Sequence, residues 1–475
     1  MKRIFYLLLT LFVTYPMLAQ ETFFTKEKLE EDIKQLEKTL VKIHPGLDYF
    51  TPKSDIENMF QERLATLPDS MSRMAFYEWL EPIIDTIKCG HTNIQFSHKL
   101  FKEKEDREKP QVFPMDLVMI NNEVLVKEDF DIGDHIIPRG SQILSVDTVD
   151  INHIVDRIAL YNKGADGDND YPERLWAVRG FKGGYARFFG TKDKFVVSLI
   201  NSKTQEKQTY TLDAAPPKAL EDIAKAKAKV TSPVNFSLVN NGQIGLLEVT
   251  SFSDQSNFKK SKRKFKKAFK EIRNQNLDKV ILDVRNNGGG AIKNIKHLTR
   301  YLIDEEYLIV KKATIEQAFK DEKKSWFQKI LFSFTSKELV GDEYIMKRFS
   351  KKMIKPQKKI YQGELVVLIN ESSYSAAALT PALLRAKNRA TLIGEEAGGS
   401  YHLAFAGSSK YVRMKNSKIK VRVPIIQLIY DVQVDHQDRR KGLLPDIYKT
   451  YTKEDLINGT DTVLEYAMEY LDKKT

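Results

Sequence analysis

The sequence predicts a multidomain α/β protein with a helical N-terminal region, a β-rich middle and an α/β C-terminal part. Three observations predict it. Apolar residues recur at helical spacing up to about residue 87, short Val- and Ile-rich runs broken by turns follow, and from Ile244 onward apolar strands alternate with amphipathic helices. The 475 residues leave room for about three domains at roughly 150 residues each. With 42% hydrophobic and 10% aromatic residues, the chain has enough apolar material to offset the entropy of folding, which excludes a wholly disordered protein.

Lys2 and Arg3 precede an apolar run from Ile4 to Val13, and Tyr15 to Gln20 then fits a cleavage site after about Ala19. Residues 1–19 therefore read as a signal peptide, and the expected destination is the periplasm or the extracellular space. The run is too short to span a bilayer, and no other stretch approaches about 18 apolar residues, so no membrane span is expected after signal removal. The net charge of +12 falls to +10 without Lys2 and Arg3. The surplus reads as solubility or attraction to acidic surfaces, and export points away from nucleic acid as a partner. A single cysteine, Cys89, excludes an internal disulfide and a cysteine-based zinc site.

The elements follow in order. Leu29, Ile33, Leu36, Leu40 and Ile43 mark one helical face, His44-Pro45-Gly46 stops that helix, Pro52 to Asp55 starts a second, and Met74 to Ile87 forms a third. Residues 20–105 make the helical region. The middle region, 106–212, carries strands over Val112 to Ile120, Glu123 to Val126 and Ser141 to Val146, with turns at Asn121-Asn122 and Pro138-Arg139-Gly140. A helix near Ile151 to Tyr161 and strands at Ala186 to Phe189 and Phe195 to Ile200 complete it. The loop Asp166 to Asp170 lacks a glycine at its sixth position and has Ala177 where a calcium loop needs Glu, so it reads as a solvated loop.

Residues 213–235 read as a linker, and 236–475 as the third region. There Ile244 to Glu248, the helix Phe258 to Ile272 and Lys279 to Val284 form a strand–helix–strand unit, which implies a parallel pair. The run Lys259 to Lys264 reads as the solvated face of that helix. An insertion at 312–359 breaks the rhythm and holds Trp326, Phe327, Ile330, Leu331, Phe332 and Phe334, as core packing or as a lid. Strand Glu364 to Ile369, helix Ser375 to Leu384 and strand Thr391 to Gly394 resume it.

Three features carry chemistry. Strand Val280 to Val284 runs into Gly288-Gly289-Gly290, whose bare N–H groups suit an oxyanion pocket. Strand Leu365 to Ile369 runs into Ser372, Ser373 and Ser375 ahead of Ala376-Ala377-Ala378, where a helix N-terminus would stabilise a serine alkoxide, although Ser372 or Ser373 could simply cap the helix. Cys89-Gly90-His91-Thr92 ends the helical region and offers a base.

Together these residues resemble the tail-specific, or C-terminal processing, serine peptidases of family S41. The resemblance rests on Gly90-His91-Thr92, on Ile137 to Val146, on Asp283-x-Arg285-x-Asn287-Gly288-Gly289-Gly290, on Ser373-Tyr374-Ser375-Ala376 and on Gly442 to Asp446. It implies a PDZ-like domain in the middle and a crotonase-like α/β catalytic domain of the ClpP/crotonase type. It also implies a serine endopeptidase that hydrolyses peptide bonds in protein tails or unfolded proteins, needing no metal and no organic cofactor.

Carried over by position, the nucleophile is Ser375, and the oxyanion hole combines the Ala376 N–H with that of Gly288 or Gly289. The Ser/Lys branch places its lysine about 25 residues beyond the serine, where this chain has Ser400. The chain therefore resembles the tricorn-like Ser/His branch, whose base falls on His91, with His402 as the alternative. The third, orienting member falls near Arg439, with Asp438 and Asp435 the nearby carboxylates. A catalytically impaired relative that binds an apolar ligand or peptide is the rival reading. The oligomeric state is not encoded in any motif.

Overall fold

The computed structural model describes residues 22–95, 111–161, 165–169, 171–216, 233–253, 258–316, 337–340, 343–346, 350, 352–432 and 440–474. Residues 1–19, expected as a signal peptide, most of the expected linker 213–235, the aromatic part of the insertion, and Asp435 and Asp438 lie outside the described residues. Among the described residues no helix is long and apolar enough to cross a membrane.

The N-terminal helices are Lys26–Ile43, Lys53–Ala65 and Arg73–Thr86. The first buries Leu29, Ile33, Leu36, Leu40 and Ile43, the spacing the sequence displays. This region is stitched to the far end of the chain. Buried Asp32 accepts the Asn416 and Ser417 N–H groups at 2.8 Å each, and Asn93–Gln95 pairs antiparallel with Lys420–Pro424, Asn93 opposite Arg422. That pairing carries His91 across to the C-terminal region.

The middle region is an antiparallel sheet in the order Lys207–Asp213, Lys194–Ile200, Gln142–Val146, Glu123–Val126, Leu117–Ile120. The expected strand from Val112 begins only at Leu117; Val112 itself makes a lone bridge to Ala215. Asn121 and Asn122 both take positive φ, 49° and 65°, as a tight hairpin requires. One expectation is overturned. Ala186 to Phe189 is no strand but belongs to the end of the helix Phe181–Phe188, which follows a helix at Tyr171–Arg179. Phe181, Tyr185 and Phe188 are all buried, so a 3.6-residue period outweighed the β propensity of the aromatics.

The C-terminal region is built on a six-stranded sheet, ordered Val234–Val239, Ile244–Val249, Lys279–Asp283, Glu364–Ile369, Thr391–Gly394, Ile447–Tyr448. The first pair is antiparallel and all others are parallel. Both faces are covered, which is why the strands read as unbroken apolar runs. Ile281, Val366 and Leu368 face Val463, Ala467 and Leu471 of the helix Thr462–Lys473, whereas Val280, Leu282, Val367 and Ile369 join the main core. Helices Phe258–Asn274, Ile292–Thr299 and Ala376–Ala386 belong to that second side.

Register positions the site. Asp283 lies opposite Leu368, so the triple glycine and the serine turn leave the carboxyl ends of neighbouring parallel strands side by side, where open α/β sheets place ligands. The described part of the insertion joins Val310–Glu316, Gln427–Tyr430 and Leu403–Phe405 in an antiparallel sheet through Lys337–Val340 and Glu343–Met346.

Candidate active site

The serine turn separates its three hydroxyls. Ser373 Oγ donates to the Val284 carbonyl at 2.9 Å and accepts the Asn370 N–H at 3.1 Å, tying the turn to the neighbouring strand. Ser372 Oγ is buried without a partner among the described residues. Neither caps the helix. Ser375 occupies the N-cap position of Ala376–Ala386, yet its side chain makes no capping bond. Its backbone sits at φ 54° and ψ −115°, a conformation that costs an L-residue about 1–3 kcal/mol and persists only where the surroundings impose it. The half-buried hydroxyl is thus held free at the positive end of a helix.

The triple glycine supports this elbow. Asn287 donates through Nδ2 to the Val249 carbonyl at 2.7 Å, accepts the Gly289 N–H at 2.9 Å, and takes the Tyr374 N–H on its own carbonyl at 3.0 Å. Gly289 has φ 92°, and a Cβ there would lie 2.9 Å from both Ala376 N and Ser375 Cβ, so only glycine lets the two turns touch. Its N–H is spent on Asn287. The Gly288 N–H has no acceptor among the described residues, and Ala376, first in its helix, has no intrahelical one. Arg285 of the same motif is structural, with Nη2 at 2.7 Å from both Asp283 and Asp461.

His91 stands beside the serine turn through Tyr374. Its Nδ1 lies 3.0 Å from the Tyr374 hydroxyl, and the rings stack at 5.4 Å with 28° between planes. Burial first, and then the Arg422 charge, push its pKa down to about 4, so the imidazole is neutral at pH 7. His402 is buried and turned elsewhere, with Nε2 at 2.9 Å from the Tyr49 hydroxyl and Nδ1 at 3.5 Å from Ser400 Oγ. Among the described residues no hydrogen bond joins Ser375 to either histidine, a separation common in unliganded enzymes.

Sequence reasoning missed Asp166 and Tyr374. Asp166, expected in a solvated loop, is 6% exposed. It accepts the Gly90 N–H at 2.9 Å, and the Ser400 backbone and the Tyr374 hydroxyl face it and favour its charged form. Burial pushes its carboxyl up to about 6 against these hydrogen bonds. The loop is pinned because the Gly167 N–H donates to the Lys88 carbonyl and the Asp168 N–H to the Arg440 carbonyl. The only sequence signal was a glycine beside the histidine: a Cβ on Gly90 would overlap the Tyr374 hydroxyl and sit 2.5 Å from the Ala165 carbonyl. No group of three or more His, Cys, Asp or Glu among the described residues could hold a metal.

Of two cavities, the first reaches the serine turn at Ser372 and the second is lined by no residue of it. One of about 470 Å³ lies between strand Leu117–Ile120 and the ends of the catalytic strands, reaching Arg285, Asn370, Glu371 and Glu395. Burial and then the neighbouring Glu371 carboxyl push Glu395 well above the usual carboxylate range, so this pair shares a proton at neutral pH. The other, about 450 Å³, is floored by Ile292, Ile354, Ile426 and Leu428 and rimmed by Lys296 and Lys352.

Residues 243–448 match the family model described as Peptidase family S41, and with that domain the chain is a serine-type peptidase. Among curated proteins none matches this sequence. Among solved structures, mature CPAF superposes with a TM-score of 0.62 at 15% identity, over 94% of this chain and 96% of CPAF. Mature CPAF complexed with lactacystin gives the same TM-score and identity, over 94% and 97% of the two chains. The photosystem II D1 C-terminal processing protease is more distant, with a TM-score of 0.42 at 16% identity over 88% and 93% of the chains.

Proposed function

We propose that this serine-type peptidase is an exported endopeptidase that cleaves protein tails or unfolded chains through an acyl-enzyme on Ser375, with His91 as the base. The observation that carries it is the isolation of the Ser375 hydroxyl. Of the three serines it alone is only partly buried with a side chain that makes no hydrogen bond among the described residues, in a strained elbow at a helix N-terminus. The Gly288 and Ala376 N–H groups would receive the developing oxyanion, since that of Gly289 already serves Asn287. His91, neutral at pH 7, takes the Ser375 proton as Oγ attacks the scissile carbonyl, returns it to the leaving amine, and repeats the cycle with water.

For substrate binding, the support is the sheet edge. Leu117–Ile120 is the end strand of the middle sheet and lines the 470 Å³ cavity, so an extended peptide could add to it as a further strand. That is the grip expected of a PDZ-like domain beside a crotonase-like core. Export rests on the leader-like residues 1–19.

A fluorophosphonate probe tests the chemistry. It should label the wild type and fail on Ser375→Ala, while the variant keeps the wild-type melting temperature within a few degrees. Unlabelled wild type, under conditions that label an active relative, would sink the peptidase chemistry. That result would favour the second reading, a catalytically impaired binder. The 450 Å³ apolar cavity with its lysine rim, together with the missing Ser375–histidine hydrogen bond, supports it.

A further inference from the structure

Tyr374 has one hydroxyl proton and two neighbours that could take it. Asp166 is a buried carboxylate that accepts the Gly90 N–H at 2.9 Å, the Tyr374 hydroxyl packs against the same Gly90 and favours the charged carboxyl, and an ionised carboxylate only accepts. On the other side His91 Nδ1 stands 3.0 Å from the same oxygen. One arrangement satisfies all three groups: the Tyr374 O–H donates to Asp166, and the His91 Nδ1–H donates to the Tyr374 oxygen. The imidazole then carries its lone pair on Nε2.

We propose that Tyr374 and Asp166 are positioning residues that fix His91 in its Nδ1–H tautomer, a tyrosine relaying to His91 the hold that a carboxylate usually exerts directly. This rests on the Ser375/His91 assignment. A neutral base must present the lone pair of the nitrogen that faces the serine, and the wrong tautomer abolishes proton transfer without disturbing packing. When the Ser375 Oγ–carbonyl bond forms, the serine proton moves to Nε2. The imidazolium charge is then met through Tyr374 by the Asp166 carboxylate. Asp166 takes up no proton, and nothing beyond the peptide and water is consumed.

The geometry of the seam is built around this chain of hydrogen bonds. Gly90 makes room for the Tyr374 hydroxyl, Gly399 for its ring face, and the Gly398 N–H donates to the Ser373 carbonyl at 3.2 Å, closing the loop onto the serine turn. The charged and titratable groups facing the relay are Cys89, Glu173, Arg422 and Tyr430. All of them lie outside the chain of donors. Because Asp166 titrates near 6, its protonation weakens the relay below that pH while His91 is still neutral.

The test uses the full chain and a chromogenic or fluorogenic unfolded-protein substrate. Tyr374→Phe keeps the ring that stacks on His91 and removes only the hydroxyl. It should lower kcat by about 100-fold, the low end of what a well-placed general base contributes, with KM unchanged. The partial fall in kcat near pH 6 should vanish from its profile. Asp166→Asn should behave alike, and the double variant should be no worse than either single one, as expected for groups acting through one chain. Ring ¹⁵N shifts of His91 should report Nδ1–H in the wild type and a mixture or Nε2–H in Tyr374→Phe.

The idea is overturned if Tyr374→Phe keeps wild-type kcat, if the two variants add, or if the tautomer is the same in both proteins. Should one variant fold poorly, the tautomer and pH profile of the other decide. Failure here is distinct from failure of the Ser375/His91 assignment. If fluorophosphonate labelling survives Ser375→Ala the assignment falls, whereas if that variant is silent and Tyr374→Phe is unimpaired, only the relay falls.

Discussion

Two loops flank Tyr374, each with a glycine against the tyrosine and a histidine beside it, and they end in different chemistry. In Gly90-His91-Thr92 the imidazole turns toward the tyrosine and binds its hydroxyl. In Gly398 to His402 the imidazole turns away, and both ring nitrogens are occupied by Tyr49 and Ser400. His91 is half-buried and His402 buried, but depth below the surface does not decide which way each ring turns. What separates them is which hydroxyl each ring meets, and that follows from the strands carrying the loops. Asn93–Gln95 is pinned to Lys420–Pro424, which holds His91 at the serine turn. Leu403–Phe405 pairs with Gln427–Tyr430, which swings His402 toward the N-terminal aromatics.

The largest expected effect breaks this contrast directly. His91→Ala should cut kcat/KM at least about 10³-fold, as loss of an essential base does, whereas His402→Ala should leave it within about tenfold and act chiefly on stability. Steady-state kinetics on both variants decide it, and the reverse ranking would make His402 the base. Next comes Gly90→Ala. The added methyl meets the Tyr374 hydroxyl and the Ala165 carbonyl, so thermal or denaturant unfolding should show about 1–3 kcal/mol of destabilisation with activity lost at the same time.

The smallest effect is on pH. His91 is pushed down to about 4 by burial and then by Arg422, so the final loss of kcat/KM on acidification should fall well below the 6.5 of a free imidazole. Arg422→Gln removes a positive charge that disfavours the imidazolium, and the limb should therefore move up in pH. A limb that stays put would show that burial alone sets it.

Much of the catalytic sheet was legible because each of its parallel strands is buried on both faces and so appears as an unbroken apolar run; the strands Ile244–Val249, Lys279–Asp283, Glu364–Ile369 and Thr391–Gly394 all stand where periodicity put them. The helices Lys26–Ile43 and Phe258–Asn274 were legible for the complementary reason, a single apolar face. Tyr171–Arg179 was not. Its buried residues, Pro172, Leu175, Ala177 and Val178, make no clean stripe, and the preceding aspartates favoured a loop. Ser375 could be placed from its small neighbours, but three serines looked alike until the Ser373–Val284 bond and the unpartnered Ser372 distinguished them.

The sequence by itself determined which chemical groups exist and which local turns they occupy: a triple glycine after one strand, a serine-rich turn after another, and a histidine after the third helix. These are local facts, set by φ/ψ permissiveness and by hydrophobic period. Only the tertiary structure decided which of them meet. Parallel register set the glycines against Ser375, and the pairing of Asn93–Gln95 with Lys420–Pro424 set His91 on Tyr374 across 283 residues of sequence. A loop that read as solvated carries Asp166 into the same seam. Contacts at such separations leave no periodic trace in a single sequence. They arise from the burial of side chains that are unremarkable until the chain closes on itself.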